Sequence, residues 1–217
     1  MKRRVAILIS GRGSNMAALI KAAAAEDYPA EIAVVVANRA DAGGLDKARA
    51  AGIPAAVIES KPFGKDRATF EAALQALLDQ HRIDLICLAG FMRLFTAGFV
   101  QRWYGKMLNI HPCLLPCFPG LDPHGQALRA GVKISGATVH FVIPETDAGP
   151  ILMQGAVTVS DHDVAETLAE RVLEVEHRIY PEALRLLASG GVRLEGDICK
   201  TAAGAGSGNF LISPVVT

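Results

Sequence analysis

Residues 5 to 9, Val-Ala-Ile-Leu-Ile, are apolar without a break and run into Ser10-Gly11. This is the pattern of a strand covered on both faces. Beyond the turn the period changes, with Met16, Leu19, Ile20 and Ala23 at i, i+3, i+4 and i+7. These form one face of a helix that Ser14 or Asn15 is placed to cap. The alternation continues as a strand over 32–37, a helix over 41–51 stopped by Gly52, and a strand over 55–58. A helix over 66–82, with Phe70, Leu74, Leu77 and Leu78 on one stripe, leads to a fourth strand at 85–88.

The pattern then shortens. Residues 106–111 read as a strand in which Asn109 and His111 share one face while Leu108 and Ile110 take the other. Pro112 ends it, leaving an amide and an imidazole at the strand's C-terminal tip, where open α/β sheets bind ligands. A loop of turn formers at 118–125 precedes a short helix over 126–130. Residues 137–143 alternate and pair with 151–159 as an antiparallel hairpin. The longest helix spans 163–188, with Pro181 expected to kink or interrupt it. The expected fold is α/β: a Rossmann-like doubly wound, mostly parallel sheet with a C-terminal antiparallel hairpin and a long helix. One domain is expected over 1–199, followed by a flexible Gly/Ala-rich tail over 200–217.

Composition narrows the function classes. Lys plus Arg and Asp plus Glu both number 22 in 217 residues, so the formal net charge is zero. A nucleic-acid binder or polybasic membrane anchor would be strongly basic, and no apolar run approaches the roughly 18 residues of a membrane span. The four cysteines, Cys87, Cys113, Cys117 and Cys199, read as free thiols in a reducing cytoplasm. Cys113 and Cys117 make a single C-x3-C without a second pair, so no metal site is expected.

Three stretches carry candidate chemistry. The loop Ser10-Gly11-Arg12-Gly13-Ser14-Asn15 between strand and helix suits an anion, because glycines admit close approach and first-turn amides point outward. A dinucleotide fingerprint would want glycine where Met16 stands and an acid where Asn38 follows the second strand, and no Walker lysine is present. The phosphate of a small substrate and a structural glycine turn remain the two readings. Ala89 to Leu94 is either the wall for a flat ring or a packed turn, and His140 either faces the site or is a satisfied polar residue. Glu176 lies at the border of the buried face of the last helix, better placed to reach a ligand than its exposed acidic neighbours.

Taken together, Ile-Ser-Gly-x-Gly-Ser-Asn at 9–15, Ala-Gly-Phe-Met-Arg at 89–93, Asn-Ile-His-Pro-x-Leu-Leu-Pro at 109–116, Asp-x-Gly-Pro at 147–150 and Glu-His-x-Ile-Tyr-Pro at 176–181 resemble the glycinamide ribonucleotide formyltransferases of purine synthesis. These are folate-dependent formyltransferases, and the resemblance runs from about residue 4 to about residue 195. It implies that Asn109, His111 and Asp147 form the catalytic set. Gly13, Ser14 and Asn15 would hold the substrate phosphate and Glu176 the ribose end. Met92, Arg93, Leu94 and Phe95 would border the folate, with Asn109 beside it, Arg67 at its outer reach and 143–147 closing on the pterin. The implied cosubstrate is 10-formyltetrahydrofolate with no metal. The implied partners are small molecules rather than nucleic acid or membrane, in a cytoplasmic monomer or weak homodimer. Where the family usually carries a His-Thr-His-Arg-like turn, this chain has Asp122-Pro123-His124-Gly125.

A formyl acceptor amine attacking the donor needs oxyanion donors and a proton route. Asn109 and a protonated His111 can donate to the formyl oxygen, and Asp147 can order a proton relay. Formyltetrahydrofolate hydrolase and methionyl-tRNA formyltransferase would use the same three residues, but usually with an extra domain. A non-catalytic nucleotide-binding domain would explain the glycine loop and leave the three polar groups without a purpose.

Overall fold

The computed structural model describes residues 1–201. Nine strands and six α-helices alternate among them: β1 (Arg3–Ile9), α1 (Ser14–Ala23), β2 (Ala30–Ala37), α2 (Gly44–Ala50), β3 (Ala55–Val57), α3 (Arg67–Gln80), β4 (Leu85–Leu88), α4 (Ala97–Arg102), β5 (Met107–His111), α5 (Pro123–Arg129), β6 (Ile134–Phe141), β7 (Ile151–Thr158), α6 (Ala165–Ala188), β8 (Val192–Glu195) and β9 (Ile198–Thr201). Seven strands form one sheet in the order β3-β2-β1-β4-β5-β6-β7. The first five pair in parallel, while β6 and β7 run antiparallel.

Strand periodicity divides the interior into two layers. Ile7, Ile9, Val35, Cys87, Leu108 and Ile110 face one side, against Met16 and Leu19 of α1, Leu45 of α2, and Tyr180 and Leu184 of α6. Ala6, Leu8, Val34, Val36, Ile86 and Met107 face the other, against Phe70, Leu74 and Leu78 of α3, Phe99 and Val100 of α4, and Trp103 just past its end. Burying both faces explains why the central strands are apolar without alternation. The order of β1 and β4 places the topological switch at their C-terminal ends, beside the tip of β5.

Several expectations change. Neither Ser14 nor Asn15 caps α1: the cap position is Gly13 in the left-handed region (φ 67), with no side-chain cap. A Cβ there would lie 3.0 Å from the Gly44 Cα, so the loop packs directly on the start of α2. Pro181 does not interrupt α6, which runs unbroken to Ala188. Buried Tyr180, Ala183, Leu184 and Ala188 flank it on one stripe and hold the helix together across the missing donor. The helix expected at 126–130 begins at Pro123, capped by the Asp122 carboxylate, which accepts from Gly125 N at 3.1 Å. The same carboxylate pairs with Arg129 at 3.1 Å. A Cβ on residue 125 would lie 2.4 Å from that carboxylate, so Asp122-Pro123-His124-Gly125 is a self-consistent helix start. The helix α4 and the hairpin of β8 and β9 were not expected. Lys200 and Thr201 belong to β9, and the rest of the expected flexible tail, 202–217, lies outside the described residues.

Candidate active site

The tip of β5 carries Asn109 and His111 on one face, as the alternation predicts, and the antiparallel register adds a third group. Asn109 lies opposite His140 on β6, and His111 opposite Thr138. His140 therefore faces the site: its Nε2 is 3.1 Å from Asn109 Nδ2, and its Nδ1 is 3.0 Å from the Phe141 carbonyl. Burial pushes its pKa down from the usual histidine value, only partly opposed by the bond to Phe141 and the charge of Asp147.

Asp147 comes from the β6–β7 loop, where it adopts φ 54, a left-handed conformation that Asp tolerates better than most residues. Its Oδ2 accepts from Gly120 N at 2.9 Å and lies 3.5 Å from His111 Nδ1, while Oδ1 lies 3.8 Å from His140 Nε2. One carboxylate thus faces two imidazoles. The opposite nitrogen of His111, Nε2, is 3.2 Å from the Phe118 carbonyl. A carbonyl only accepts, so this nitrogen carries a proton. The side chains of His111 and Asp147 are 8% and 10% exposed, tucked beneath the segment Phe118 to Gly120.

The segment following His111 is fixed by a buried hydroxyl. Thr138 Oγ1 donates to the Cys113 carbonyl at 2.7 Å and accepts from Leu115 N at 3.0 Å. Gln154 Nε2 donates to Leu115 O at 2.9 Å and to Thr138 Oγ1 at 3.0 Å. The buried Cys113 thiol donates to the Cys117 carbonyl at 2.7 Å, and burial pushes it up to about 12. Both cysteines are free.

The glycine loop forms the second part of the site. Because Ala17 N makes the first helical bond to Gly13 O, the amides of Ser14, Asn15 and Met16 are left for a ligand or water. Lys47 donates to Arg12 O, and Gly44 N to Gly11 O, pinning the loop to α2. Asn15 Nδ2 donates to Glu176 Oε2 at 2.8 Å. Burial raises the Glu176 carboxyl above the usual range, and the bond from Asn15 opposes that shift. One turn further along α6, the Tyr180 hydroxyl reaches the Leu88 and Leu108 carbonyls at 3.0 and 3.2 Å. The helix that holds Glu176 therefore also grips β4 and β5 just before their tips. A cleft of about 500 Å³ is lined by Ser10 to Asn15, Asn38, Arg39, Ser60, Ala89, Gly90 and Met92. It contains the loop residues but not Asn109, His111 or Asp147; the 118–120 segment bonds to the last two, through the Phe118 carbonyl and the Gly120 amide.

The expected ring wall is divided in two. Met92 and Leu94 are 73% and 55% exposed at the β4–α4 connection. Arg93 turns inward, its guanidinium 4.5 Å from the centroid of Phe70 and within 3.4 Å of the Ser60, Gly64 and Asp66 carbonyls. Phe95 stacks between Phe91 and Phe99, with centroids at 5.5 and 4.7 Å. Arg93 and Phe95 are partly buried, alternating with the exposed side chains of Met92 and Leu94. Ser10 Oγ accepts from Met92 N at 2.7 Å, tying this wall to the glycine loop. Arg67 opens α3 and is exposed.

The sequence leaves His140 undecided and gives no sign of Thr138, of Gln154 or of the tie from Ser10 to Met92. For His140 the signal lay in the β6 alternation; for the others it lies in tertiary hydrogen bonds. Among the described residues no group of three or more His, Cys, Asp or Glu is positioned to hold a metal ion, and no helix is long and apolar enough to cross a membrane.

Comparison with known proteins gives a consistent result. Residues 3–184 match the family described as Formyl transferase. The chain is 52% identical over 200 residues to the human trifunctional purine biosynthetic protein adenosine-3, which covers 91% of this chain but only 20% of that protein. The chain thus spans about a fifth of the length of such relatives. It is 40% identical to the phosphoribosylglycinamide formyltransferase of Bacillus subtilis over 85% of this chain and 94% of that one. The crystal structure of glycinamide ribonucleotide transformylase 1 from Symbiobacterium toebii superposes with a TM-score of 0.89 at 44% identity, covering 92% of this chain and 94% of that one.

Proposed function

The chain belongs to the formyl transferase family, and from that premise we propose that it transfers the formyl group of 10-formyltetrahydrofolate directly to the amine of glycinamide ribonucleotide, in purine biosynthesis. The observation that carries this reading is the convergence of Asp147, from a separate loop, on His111 beside Asn109.

The amine nitrogen forms a bond to the formyl carbon, placing negative charge on the formyl oxygen. The free N–H of Asn109 and the Nε2–H of His111 donate to that oxygen, and loss of one such donor typically costs about 100- to 1,000-fold in turnover. In the arrangement described, His111 Nε2 is bonded to the Phe118 carbonyl, so the 118–120 segment gives up this bond when the formyl group enters. The proton leaving the amine travels by a water held at Asp147 to the departing folate nitrogen, whose bond to the formyl carbon then breaks. The products are the formamide and tetrahydrofolate, with no covalent enzyme intermediate. Gly13, Ser14 and Asn15 hold the substrate phosphate at the α1 N-terminus, where amides and helix dipole favour an anion. Glu176, held by Asn15, binds the ribose end. Met92, Leu94 and the backbone at Arg93 and Phe95 border the folate, with Arg67 at its outer reach. The protein acts in the cytoplasm on small molecules alone, as a monomer or weak homodimer built on one domain.

The test is formyl transfer from 10-formyltetrahydrofolate to glycinamide ribonucleotide against a control with water as the only acceptor. Release of tetrahydrofolate at the same rate in both would replace this reading with a hydrolase, and no release in either would remove the enzymatic reading. Trapping a formylated enzyme on the reaction path, for instance at Cys113, would overturn direct transfer.

A further inference from the structure

Asn109 is useful as a donor only if its amide is turned the right way, and an amide's two ends are nearly isosteric. We infer that His140 is the positioning residue that decides this orientation, by presenting a bare imidazole nitrogen to Asn109 Nδ2. The inference deepens the proposed function, since it rests on Asn109 donating to the formyl oxygen.

The argument begins one residue along β6. The Phe141 carbonyl can only accept, and it lies 3.0 Å from His140 Nδ1, so Nδ1 carries the ring's proton. In the neutral ring the other nitrogen, Nε2, is then an acceptor, and at 3.1 Å it takes one N–H of Asn109. The second N–H of Asn109 remains for a ligand. Reversing the amide would aim Oδ1 at Nε2 and require a proton there as well, making His140 a buried imidazolium. Its side chain is 3% exposed, and burial already holds its pKa below the ordinary value, so the reversed state is the costlier one. The titratable groups facing the ring are His111 and Asp147. Asp147 Oδ1 stands 3.8 Å from Nε2, beyond hydrogen-bond reach.

His140 thus acts through Asn109 and touches no reacting atom. Removing its acceptor frees the Asn109 amide to rotate, and misplacing a catalytic group by about 1 Å can cost ~100-fold. His140→Leu keeps similar bulk without an acceptor, whereas His140→Gln restores an oxygen near the Nε2 position. The leucine variant should lose roughly 10- to 100-fold in kcat with both KM values within about twofold of the parent. The glutamine variant should recover most of that loss, to within about fivefold. A role confined to packing would be served by leucine as well as by glutamine. The inference is overturned if the leucine variant keeps its kcat, or if glutamine rescues nothing.

An independent measurement needs no turnover. Long-range proton–nitrogen correlation spectra of ring-labelled histidine, with the His140 signals assigned by the glutamine variant, report which nitrogen is protonated. Protonated Nδ1 with bare Nε2 is expected, and the opposite tautomer, or an imidazolium at neutral pH, refutes the inference. Failure of the wild-type protein to transfer formyl to glycinamide ribonucleotide would refute the proposed function instead, and the ring spectrum would still decide the hydrogen-bond direction.

Discussion

Asp147→Asn is the most informative single change, because it removes a charge and almost nothing else. Asn is the residue other than glycine best suited to the left-handed φ of 54 at this position. Its amide oxygen can still accept from Gly120 N, now 2.9 Å from Oδ2. What disappears is a negative charge 3.5 Å from His111 Nδ1, which at an effective dielectric of about 20 interacts with an imidazolium by about 5 kcal/mol. That figure is a ceiling, since part of the interaction is already present before the transition state. The proton relay is lost as well, and general acid–base help is worth roughly 100- to 10,000-fold. The two effects overlap on one proton path and do not add. A fall in kcat of about 1,000-fold is expected, with KM for both substrates within about threefold, because the carboxylate lies away from the glycine loop. Single-turnover formyl transfer at saturating substrate separates chemistry from product release, and thermal melting confirms that the fold survives. A kcat within tenfold of the parent, or a loss confined to KM, would refute the role given to Asp147.

Asn15→Leu removes a loop donor and leaves the buried Glu176 carboxylate without its partner; the KM for the phosphorylated substrate should rise about 10- to 100-fold. Folate affinity measured by titration should hardly change, and its loss would show that the loop has been misassigned. Glu176→Gln should change how stability depends on pH. Burial raises the Glu176 carboxyl above its unfolded value of 4.5, so the folded state binds this proton more tightly, and the associated stability is full below 4.5 and lost as pH rises through the folded value. The Gln variant should therefore gain in Tm relative to the parent on going from pH 4 to pH 8, and a relative loss would contradict the sign. Alkylation at pH 8 followed by peptide mapping should modify exposed Cys117 well before Cys113, whose thiol is pushed up to about 12; equal labelling would refute the buried thiol bond.

The legible part of the fold was the part governed by period. Val5 to Ile9, Ile32 to Ala37 and Leu85 to Leu88 lie in the strands their apolar runs predict, and the β6–β7 hairpin follows from alternation. Boundaries set by single hydrogen bonds were not legible. Ser14 and Asn15 look like caps for α1, yet glycine holds the cap position because the loop must pack on Gly44, and Asn15 turns to Glu176 instead. Asp122-Pro123 is a helix-start signal that a run of turn formers concealed, and α4 at six residues is too short for its period to register. At the candidate site, Asn109 and His111 follow from strand geometry alone. Asp147 came only from family resemblance, since the distance between loops is not a sequence quantity. The setting of Arg93 was equally illegible: its guanidinium lies within 3.4 Å of three backbone carbonyls and over Phe70, contacts made by tertiary packing that no spacing in the sequence announces.

Two histidines face one carboxylate, so residue type alone does not say which of them fits the proposed proton-bearing role. Hydrogen-bond direction does. His111 has oxygen acceptors at both ring nitrogens, the Phe118 carbonyl at 3.2 Å and Asp147 at 3.5 Å, and can hold a second proton without opposing a donor. His140 has an acceptor at Nδ1 but the Asn109 amide donor at Nε2, so a second proton would set N–H against N–H. Charging His140 would therefore disorder the very donor it orients, whereas charging His111 strengthens the pair with Asp147. The division of labour follows from strand register: β6 pairs with β5 so that His140 lies opposite Asn109 rather than His111. A slip of one residue along β6 would turn the ring to the opposite face of the sheet. Asn109 would then be left without an acceptor, and the tip of β5 would have its residues but not their orientation.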